Sequence, residues 1–575
     1  MRTLVLDIET NADASKIWLC VTKDIDTGET ICHTESTTLL ALLKQPVKLI
    51  GHNLIAFDAP ILNRLWKTKI SLTMIAMDTL VLSRLLSPNR ENGHSLESWG
   101  ITLGLNKVEY QRIWSWMTGV NLDKDNRSLP FDDPVFPLLE YYCERDVSVT
   151  EKLYHALTKE QNESNTSAKA VELEYAVQAI CAEQVRNGFK LDVPYAMSLL
   201  STIKAEMSDI ESQMETTFPT IVRERYSEKT GKRLKDDVEV FNPGSRKQIY
   251  ERLRDKYGWK PKKTTEKGTP IVDEAVLSAL PYEEAKFLAR YFMLQKRAAQ
   301  LDSWLERVED DGRVHGDIIT IGAVTGRCTH SSPNMAQIPN SGSPYGPDCR
   351  RCWIVEEGNV LVGADASGLE LRMLAHYMKD EKYVTTVVEG SSKDGTDVHT
   401  VNQKAAGLDT RDQAKTFIYA FLYGAGASKI GSIVGGGAAA GQRLIDKFLQ
   451  GTPALNNLRE EMASYAIKGY VSSLDGRKIW IRSGHAALNS RLQGAGAVVM
   501  KKALVILDEK LRNEGVFYKF VANVHDEWQI ETKPEFAELV GKSAVQSIKE
   551  AGLAYNLRCP LDGEYKIGKS WKDTH

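Results

Sequence analysis

The chain has 575 residues, 42% of them hydrophobic and 26% charged, with a formal net charge of −3. That length exceeds what one core serves, so three or four domains of an ordinary soluble protein are expected, and any nucleic-acid binding must rest on local basic patches, not on an overall positive field. The start, MRTLVLDIET, lacks the apolar core of a secretion signal, no later run reaches membrane-spanning length, and the eight cysteines fit free thiols in a reducing cytosol.

Residues 3–9, TLVLDIE, read as a buried strand whose end carries Asp7 and Glu9. Residues two apart on a strand point to one side, so these carboxylates converge. A short apolar strand, VKLIG, precedes His52-Asn53-Leu54-Ile55-Ala56-Phe57-Asp58, and MDTLVLSRLL reads as a strand near Asp78 running into a helix. Tyr142 and Asp146 then lie one turn apart in a helical pattern. Any one of these acids alone is an ordinary strand-end or helix-face charge. DxE, NxxxFD and YxxxD in that order describe a two-metal nuclease instead. Hard divalent ions take oxygen ligands, and two of them about 3.5–4 Å apart clamp the attacking and leaving oxygens of a phosphodiester, with Tyr142 holding the attacking water beside Asp146.

Beyond residue 160 the pattern turns helical and charged, with an amphipathic segment at 168–187 leading to GFKLD. Arg223 to Lys235, RERYSEKTGKRLK, reads as a loop or helix tip. The basic stretch KPKKTTEKGTPIVD is open to two readings, a solvated loop or a nucleic-acid contact. Phe287, Tyr291, Leu294, Ala298, Leu301, Leu305 and Val308 are spaced four and three alternately, the mark of a long amphipathic helix with one packed seam. Cys328, His330, Cys349 and Cys352 form CxH followed by CxxC, a set that zinc can use. A single CxxC is a weak signal, however, and Cys328 falls within a motif better explained below.

NVLVGADASGLELRMLAHYM gives a strand ending at Asp365, a Ser-Gly turn, and a helix carrying Glu370 and Arg372. Thr410 with Gln413 three residues later is a capping box that opens a helix. Along it Arg411, Lys415, Tyr419 and Tyr423 recur every fourth residue and share one slowly drifting face. Two cations at the dipole-positive end suit a polyphosphate, and two phenols suit a sugar and a base. Taken alone, the same face also fits a solvated cation stripe with two packed aromatics. The run from Gly435 to Gly441 lacks the GK[ST] ending of a P-loop and reads as a flexible turn between helices. YKFVANVHDEWQIET alternates like a hairpin with His525, Asp526 and Glu527 near its turn. Asp365 and Asp526 at the ends of neighbouring strands would make a second two-metal site.

Both sets of motifs carry a family resemblance. The first three pieces resemble the Exo I, Exo II and Exo III motifs of DEDDy 3′–5′ proofreading exonucleases, with Asp7, Glu9, Asp58 and Asp146 at the metal-binding positions. DASGLELR from Asp365, RDQAKTFIYAFLYG from Arg411 and VHDE from Val524 resemble motifs A, B and C of family A DNA polymerases, in particular the replicative enzymes of T-odd, short-tailed bacteriophages. TGRCTHSSPNMAQIPN from Thr325 resembles the palm segment of this family, and SRLQGAGAVVMKKAL around Gln493 its template-contacting helix. The resemblance implies a multidomain α/β and α+β chain. An RNase H-like exonuclease domain would occupy 1–160 and a linker and thumb 161–310, with palm at 311–398 and 486–575 and fingers at 399–485.

What it implies for function is DNA-templated DNA polymerisation with 3′–5′ proofreading, using two Mg²⁺ ions at each site, with Mn²⁺ as a substitute. Asp365, Asp526 and the Ala366 carbonyl would hold the polymerase pair, one ion activating the primer 3′-oxygen and the other neutralising the triphosphate, with Glu527 in the catalytic set. Arg411, Lys415 and His399 would grip the phosphates of the dNTP, and Lys415 would protonate the leaving pyrophosphate. Tyr419 would pack on the incoming sugar, Tyr423 near the template base, and Glu370 where a ribose 2′-hydroxyl would need room. Arg327 is expected near the primer terminus, and His525 and Gln493 join the substrate contacts.

Expected partners are primer-template DNA and dNTPs in the cytoplasm of a bacterial host, with a phage helicase-primase and a single-strand binding protein as candidates. Some phage relatives recruit host thioredoxin through a large thumb insertion. Only some 95 residues separate Asp146 from Phe241, too few for the thumb helices and such an insertion, so a thioredoxin clamp is not expected. Three alternatives stand beside this reading: an exonuclease whose polymerase half only binds nucleic acid, a replication scaffold, and a template-directed RNA polymerase. Two complete carboxylate sets argue against the scaffold, and Glu370 against the RNA polymerase.

Overall fold

The computed structural model describes residues 1–122, 128–261, 263–481 and 486–575. Strand β1 (Arg2–Thr10) is central in a sheet of order β3-β2-β1-β4-β5, completed by β2 (Ile17–Asp24), β3 (Thr30–His33), β4 (Val47–Gly51) and β5 (Ile75–Asp78). β1 runs antiparallel to β2 and parallel to β4. Helices α1 (Asp58–Leu65) and α2 (Thr79–Leu86) follow β4 and β5, and the long α3 (Phe136–Ser164) crosses the sheet. The period-two pattern of β1 divides its neighbours. Leu4, Leu6 and Ile8 pack with Leu49 and Leu62, whereas Val5 packs with Leu139, Cys143 and Val147 of α3. Asp7 and Glu9 share the face of Val5, so the strand presents both acids toward α3.

Helix α4 (Ala168–Asn187) joins this unit to the rest of the chain. The hydroxyl of Tyr175 accepts the Asp78 backbone N–H at 2.8 Å. Glu174, the preceding residue, is wholly buried on the other side, where it accepts from Lys501 at 2.6 and 2.8 Å and from Arg477. Adjacent residues of one helix thereby anchor to two different bodies.

Helices α5 (Val193–Thr217) and α6 (Glu283–Leu305) then pack side by side around one core. On α6, Tyr291, Leu294, Ala298 and Leu301 are buried as the spacing requires. Val308 lies past the helix end and bridges Val314 instead. The segment Arg223 to Lys235 is the loop that the sequence allows and not a helix tip. Ile221–Arg223 and Asp237–Glu239 pair as antiparallel strands, and Tyr226 bridges Arg233, so the loop is the end of a β-hairpin. Opposite charges pair across the two arms, with Arg223 2.8 Å from Glu239 and Arg233 3.5 Å from Glu224. In the basic stretch that follows, Lys262 lies outside the described residues, and Thr264 bridges Pro270.

The C-terminal half is built on β6 (Val360–Ala366), helices α7 (Leu369–Met378), α8 (Val398–Ala406), α9 (Arg411–Leu422) and α10 (Ala487–Asn513), and strands β7 (Tyr518–Val524), β8 (Glu527–Thr532) and β9 (Gly563–Gly568). The sheet order is β7-β8-β6-β9, antiparallel throughout. Val362, Ala364, Trp528 and Ile530 of the sheet share one core with Val498 and Leu507 of α10 and with Phe417 of α9. The Gly435 to Gly441 run is only half a turn region. Ala438 begins the helix Ala438–Gly451, because three alanines favour helix once the glycines end.

Candidate active sites

The first site forms where β1 meets α1 and α3. Asp7, Glu9 and the Cys143 thiol approach within 4.8 Å of one another. Asp58 opens α1, is buried, and accepts the Ile8 N–H at 3.2 Å, which ties it to the strand bearing the other two acids. Asp146, four residues after Tyr142 on α3, is buried too, and its Oδ1 has no hydrogen-bond partner among the described residues. Burial, followed by repulsion from Asp58 and Asp146, raises the Asp7 carboxyl well above the ordinary range. Burial and then Asp7 do the same to Glu9. Burial also lifts Asp58 to about 7. Four crowded acids with an orphaned oxygen are a donor set suited to hard divalent cations. The Cys143 thiol is not: burial holds it protonated, and it donates weakly to Asp7 at 3.5 Å. Asp78 has another task. Its carboxylate accepts N–H groups of Asn53, Ile55, Leu80 and Val81, and so fixes the turn that delivers Asp58.

The second site lies at the ends of β6 and β8. Asp365 sits opposite Glu527 of β8 and Glu564 of β9, and Asp526 occupies the β7–β8 turn, where His525 takes a left-handed conformation (φ 59°). The Ala366 N–H donates to the Asp526 carbonyl at 3.0 Å, which locks the two acidic segments together. Burial, then Asp526, Glu527, Glu564 and Glu370, push Asp365 up to about 8. Burial and then Glu370 push Asp526 to about 6. This all-oxygen set also fits divalent cations. Glu527 differs from its neighbours: Oε1 accepts from the Trp571 indole and from Gln529 at 2.6 Å, and Oε2 lies 3.0 Å from His575. Its acceptor capacity is largely spent within the fold. After Asp365, Gly368 adopts φ 61°, the turn conformation that lets β6 pass directly into α7.

The capping box of Thr410 and Gln413 opens α9 as the spacing predicts. Arg411 pairs with Asp397 at 2.9 Å, and although burial opposes it, the Arg411 and Thr400 hydrogen bonds hold Asp397 down at about 2. Lys415 is exposed and makes no ion pair among the described residues. His399 is buried with Nδ1 lacking a partner among the described residues, its ring 6.1 Å from that of Tyr419. The Tyr419 and Tyr423 rings stack at 6.3 Å. The Tyr423 phenol donates to Glu370 at 2.9 Å, and Arg327 donates to the same oxygen at 3.3 Å. Gln493 is half-buried on α10 and makes no side-chain hydrogen bond among the described residues. Of the predicted polymerase residues, Glu370 lies near both Asp365 and Asp526 and is joined to Arg327 and Tyr423, on which Tyr419 stacks, while Asp7, Glu9, Asp58, Tyr142 and Asp146 gather elsewhere. Among the described residues Cys328, His330, Cys349 and Cys352 do not converge: Cys349 and Cys352 are buried in the core beneath α6, and Cys328 donates to the Thr320 carbonyl.

The family model described as DNA polymerase family A matches residues 204–573. The chain is 32% identical over 711 aligned positions to the DNA-directed DNA polymerase of Escherichia phage T7, with all of both chains covered. The chain belongs to DNA polymerase family A. A second relative, the DNA-directed DNA polymerase of Enterobacteria phage T3, is 32% identical over 93% of this polymerase and 94% of that one. The POL domain of Pol1 from M. smegmatis, solved with DNA primer-template and dNTP, shares the fold at TM-score 0.79 and 20% identity, over 99% of this chain and 96% of that chain. The polymerase is therefore a multidomain α/β enzyme that performs DNA-directed DNA synthesis. Among its described residues no helix is long and apolar enough to cross a membrane.

Several residues at these sites escaped the sequence reading. Lys107 pairs with Asp146 at 2.5 Å and lies 4.9 Å from the centre of the Tyr142 ring. Cys143 was legible as a neighbour, one helical turn before Asp146 and Val147. The buried Glu174, Arg477 and Lys501 cluster spans three distant segments and leaves no local signal.

Proposed function

We propose that this polymerase extends a primer at the Asp365–Asp526 site and removes mismatched 3′ ends at the Asp7–Glu9–Asp58–Asp146 site, in the replication of a phage genome in a bacterial cytoplasm. The reading is carried by one observation: two separate clusters of half-buried to buried acids, in each of which burial and neighbouring carboxylates raise the pKa. Residues 1–160 act as the exonuclease domain and 161–310 as linker and thumb, while 311–398 with 486–575 form the palm and 399–485 the fingers. Paired Mg²⁺, or Mn²⁺ in its stead, held by Asp365, Asp526 and the Ala366 carbonyl and by the four exonuclease acids, supplies Lewis acidity and charge neutralisation when bound.

The chain's own residues do the rest. Lys415, free of ion pairs among the described residues, and His399, whose Nδ1 has no partner among them, grip the dNTP phosphates beside Arg411, and Lys415 hands its proton to the leaving pyrophosphate. Tyr419 packs under the sugar, Tyr423 lies by the template base, and Glu370 closes the space beside C2′. Arg327, His525 and Gln493 orient primer and template. Glu527 shapes the field around Asp365 from within its own hydrogen bonds. Closure of α9 over a correct pair excludes water and completes the phosphate site, so mismatches fail at that step. At the other site the Tyr142 phenol and Asp146 hold the attacking water. The T7 alignment runs over more positions than this chain has residues, so the relative carries segments absent here. A thioredoxin clamp is accordingly left out of the reading, whereas a helicase-primase and a single-strand binding protein remain candidate partners.

The test separates the sites. Asp7→Ala with Glu9→Ala abolishes trimming of a mismatched 3′ end and leaves extension from a paired end intact, and Asp526→Ala does the reverse. Joint loss of both activities in either variant refutes the two-site reading.

A further inference from the structure

Lys107 stands on the connection between the helices Leu96–Thr102 and Tyr110–Thr118, away from every motif that defines the exonuclease site. Its ammonium nonetheless reaches into that site, 2.5 Å from Asp146 Oδ2 and against the face of Tyr142. Its side chain keeps only 22% exposure and that of Asp146 only 5%. A cavity of about 550 Å³ opens beside the pair, lined by Asn106, Tyr110, Phe131 and Tyr142.

A largely buried ion pair is weak evidence of stabilisation, because desolvation offsets most of the Coulomb attraction. The geometry gives Lys107 a more specific task. It engages one oxygen of Asp146, which leaves Oδ1, buried and without a partner among the described residues, as the oxygen available for a ligand. It also spans the one-turn gap between Asp146 and Tyr142 on α3, touching both side chains. We propose that Lys107 is a positioning residue of the exonuclease site, holding the Asp146 carboxylate and the Tyr142 phenol as one oriented unit. This rests on the exonuclease reading above and adds to it a residue from outside the three motifs. Groups that orient ligands in this way are worth roughly ten- to a hundred-fold in activity.

The test is steady-state trimming of a single-stranded oligonucleotide by the full chain. Lys107→Met is expected to lower kcat about ten- to a hundred-fold with KM unchanged within about threefold, while extension from a paired primer end is unaffected. Combined with Tyr142→Phe, the loss is expected to stay near that of the worse single variant, since both act through one unit. A fold-level role would slow extension as well or multiply with the Tyr142→Phe loss, and multiplicative losses or a rise in KM alone overturn the proposal. Should Lys107→Met also slow extension, Lys107→Gln is carried through the same cycle and judged by the same outcomes. If the unmutated chain does not trim, or trims after Asp7→Ala, the exonuclease reading itself has failed. If trimming needs Asp7 but Lys107→Met trims at full rate, only the role of Lys107 has failed.

Discussion

Sugar selection offers the sharpest check on the polymerase site. Glu370 is not a loose surface acid: one of its oxygens accepts from the Tyr423 phenol at 2.9 Å and from Arg327 at 3.3 Å, and its side chain is 19% exposed. A wall pinned from two sides yields to a 2′-hydroxyl only if one of those bonds breaks. A hydrogen bond to a charged group contributes about 1.5–3 kcal/mol. At about 1.4 kcal/mol per factor of ten, Glu370→Ala should therefore lower discrimination against ribonucleotides by roughly ten- to a hundred-fold. Glu370→Gln, which keeps the volume and one acceptor, should retain much of it, and Tyr423→Phe should fall between, because it frees the wall without removing it. The assay is single-nucleotide insertion of rNTP against dNTP on a primed template, read as the ratio of kcat/KM in an Asp7→Ala background. An unchanged ratio in Glu370→Ala, with dNTP insertion preserved, would refute the reasoning and assign the barrier to another side chain.

Tyr419 should supply a hydrogen bond that a dideoxynucleotide cannot, so the unmutated enzyme accepts the analogue nearly as well as a dNTP; Tyr419→Phe restores rejection by one to about two powers of ten in direct competition, and equal acceptance by both would show that Tyr419 does not face the sugar. Added thioredoxin should leave product length on a long single-stranded template unchanged, and a large gain per binding event would contradict the thumb reading. Divalent-ion uptake should release protons at pH 7: with Asp365 raised to about 8, the metal-free palm holds a proton that ligation must expel, so affinity climbs between pH 6 and 9. Calorimetry in two buffers of different ionisation heat measures the release, and Asp365→Asn should remove the palm share of it.

What was legible in the sequence was local or periodic. The DxE pair on β1 follows from strand alternation, the capping box of Thr410 and Gln413 from spacing, and the β7–β8 hairpin from its polar tip between alternating strands. What was hidden depends on partners far away in the chain. The Arg223 to Lys235 stretch is polar like a loop, but its charges pair across a hairpin, and that registry has no signature in composition. Glu527 was read from its place beside Asp526. Only the fold brings Trp571, Gln529 and His575 to its oxygens. Lys107 is one lysine among many until the connection carrying it is laid against α3.

The shared helix α4 has a consequence for how such an enzyme can change. A break before Ala168 strips the Asp78 strand end of the Tyr175 hydroxyl, and a break after Asn187 deprives the buried Lys501 of the Glu174 carboxylate, a loss of about 3–5 kcal/mol. Neither half can be excised or exchanged as a cassette without wounding the other. A lineage under selection to stop trimming its products would therefore be expected to lose Asp7 or Glu9 by point substitution and to keep the emptied domain as a strut for the half that still synthesises.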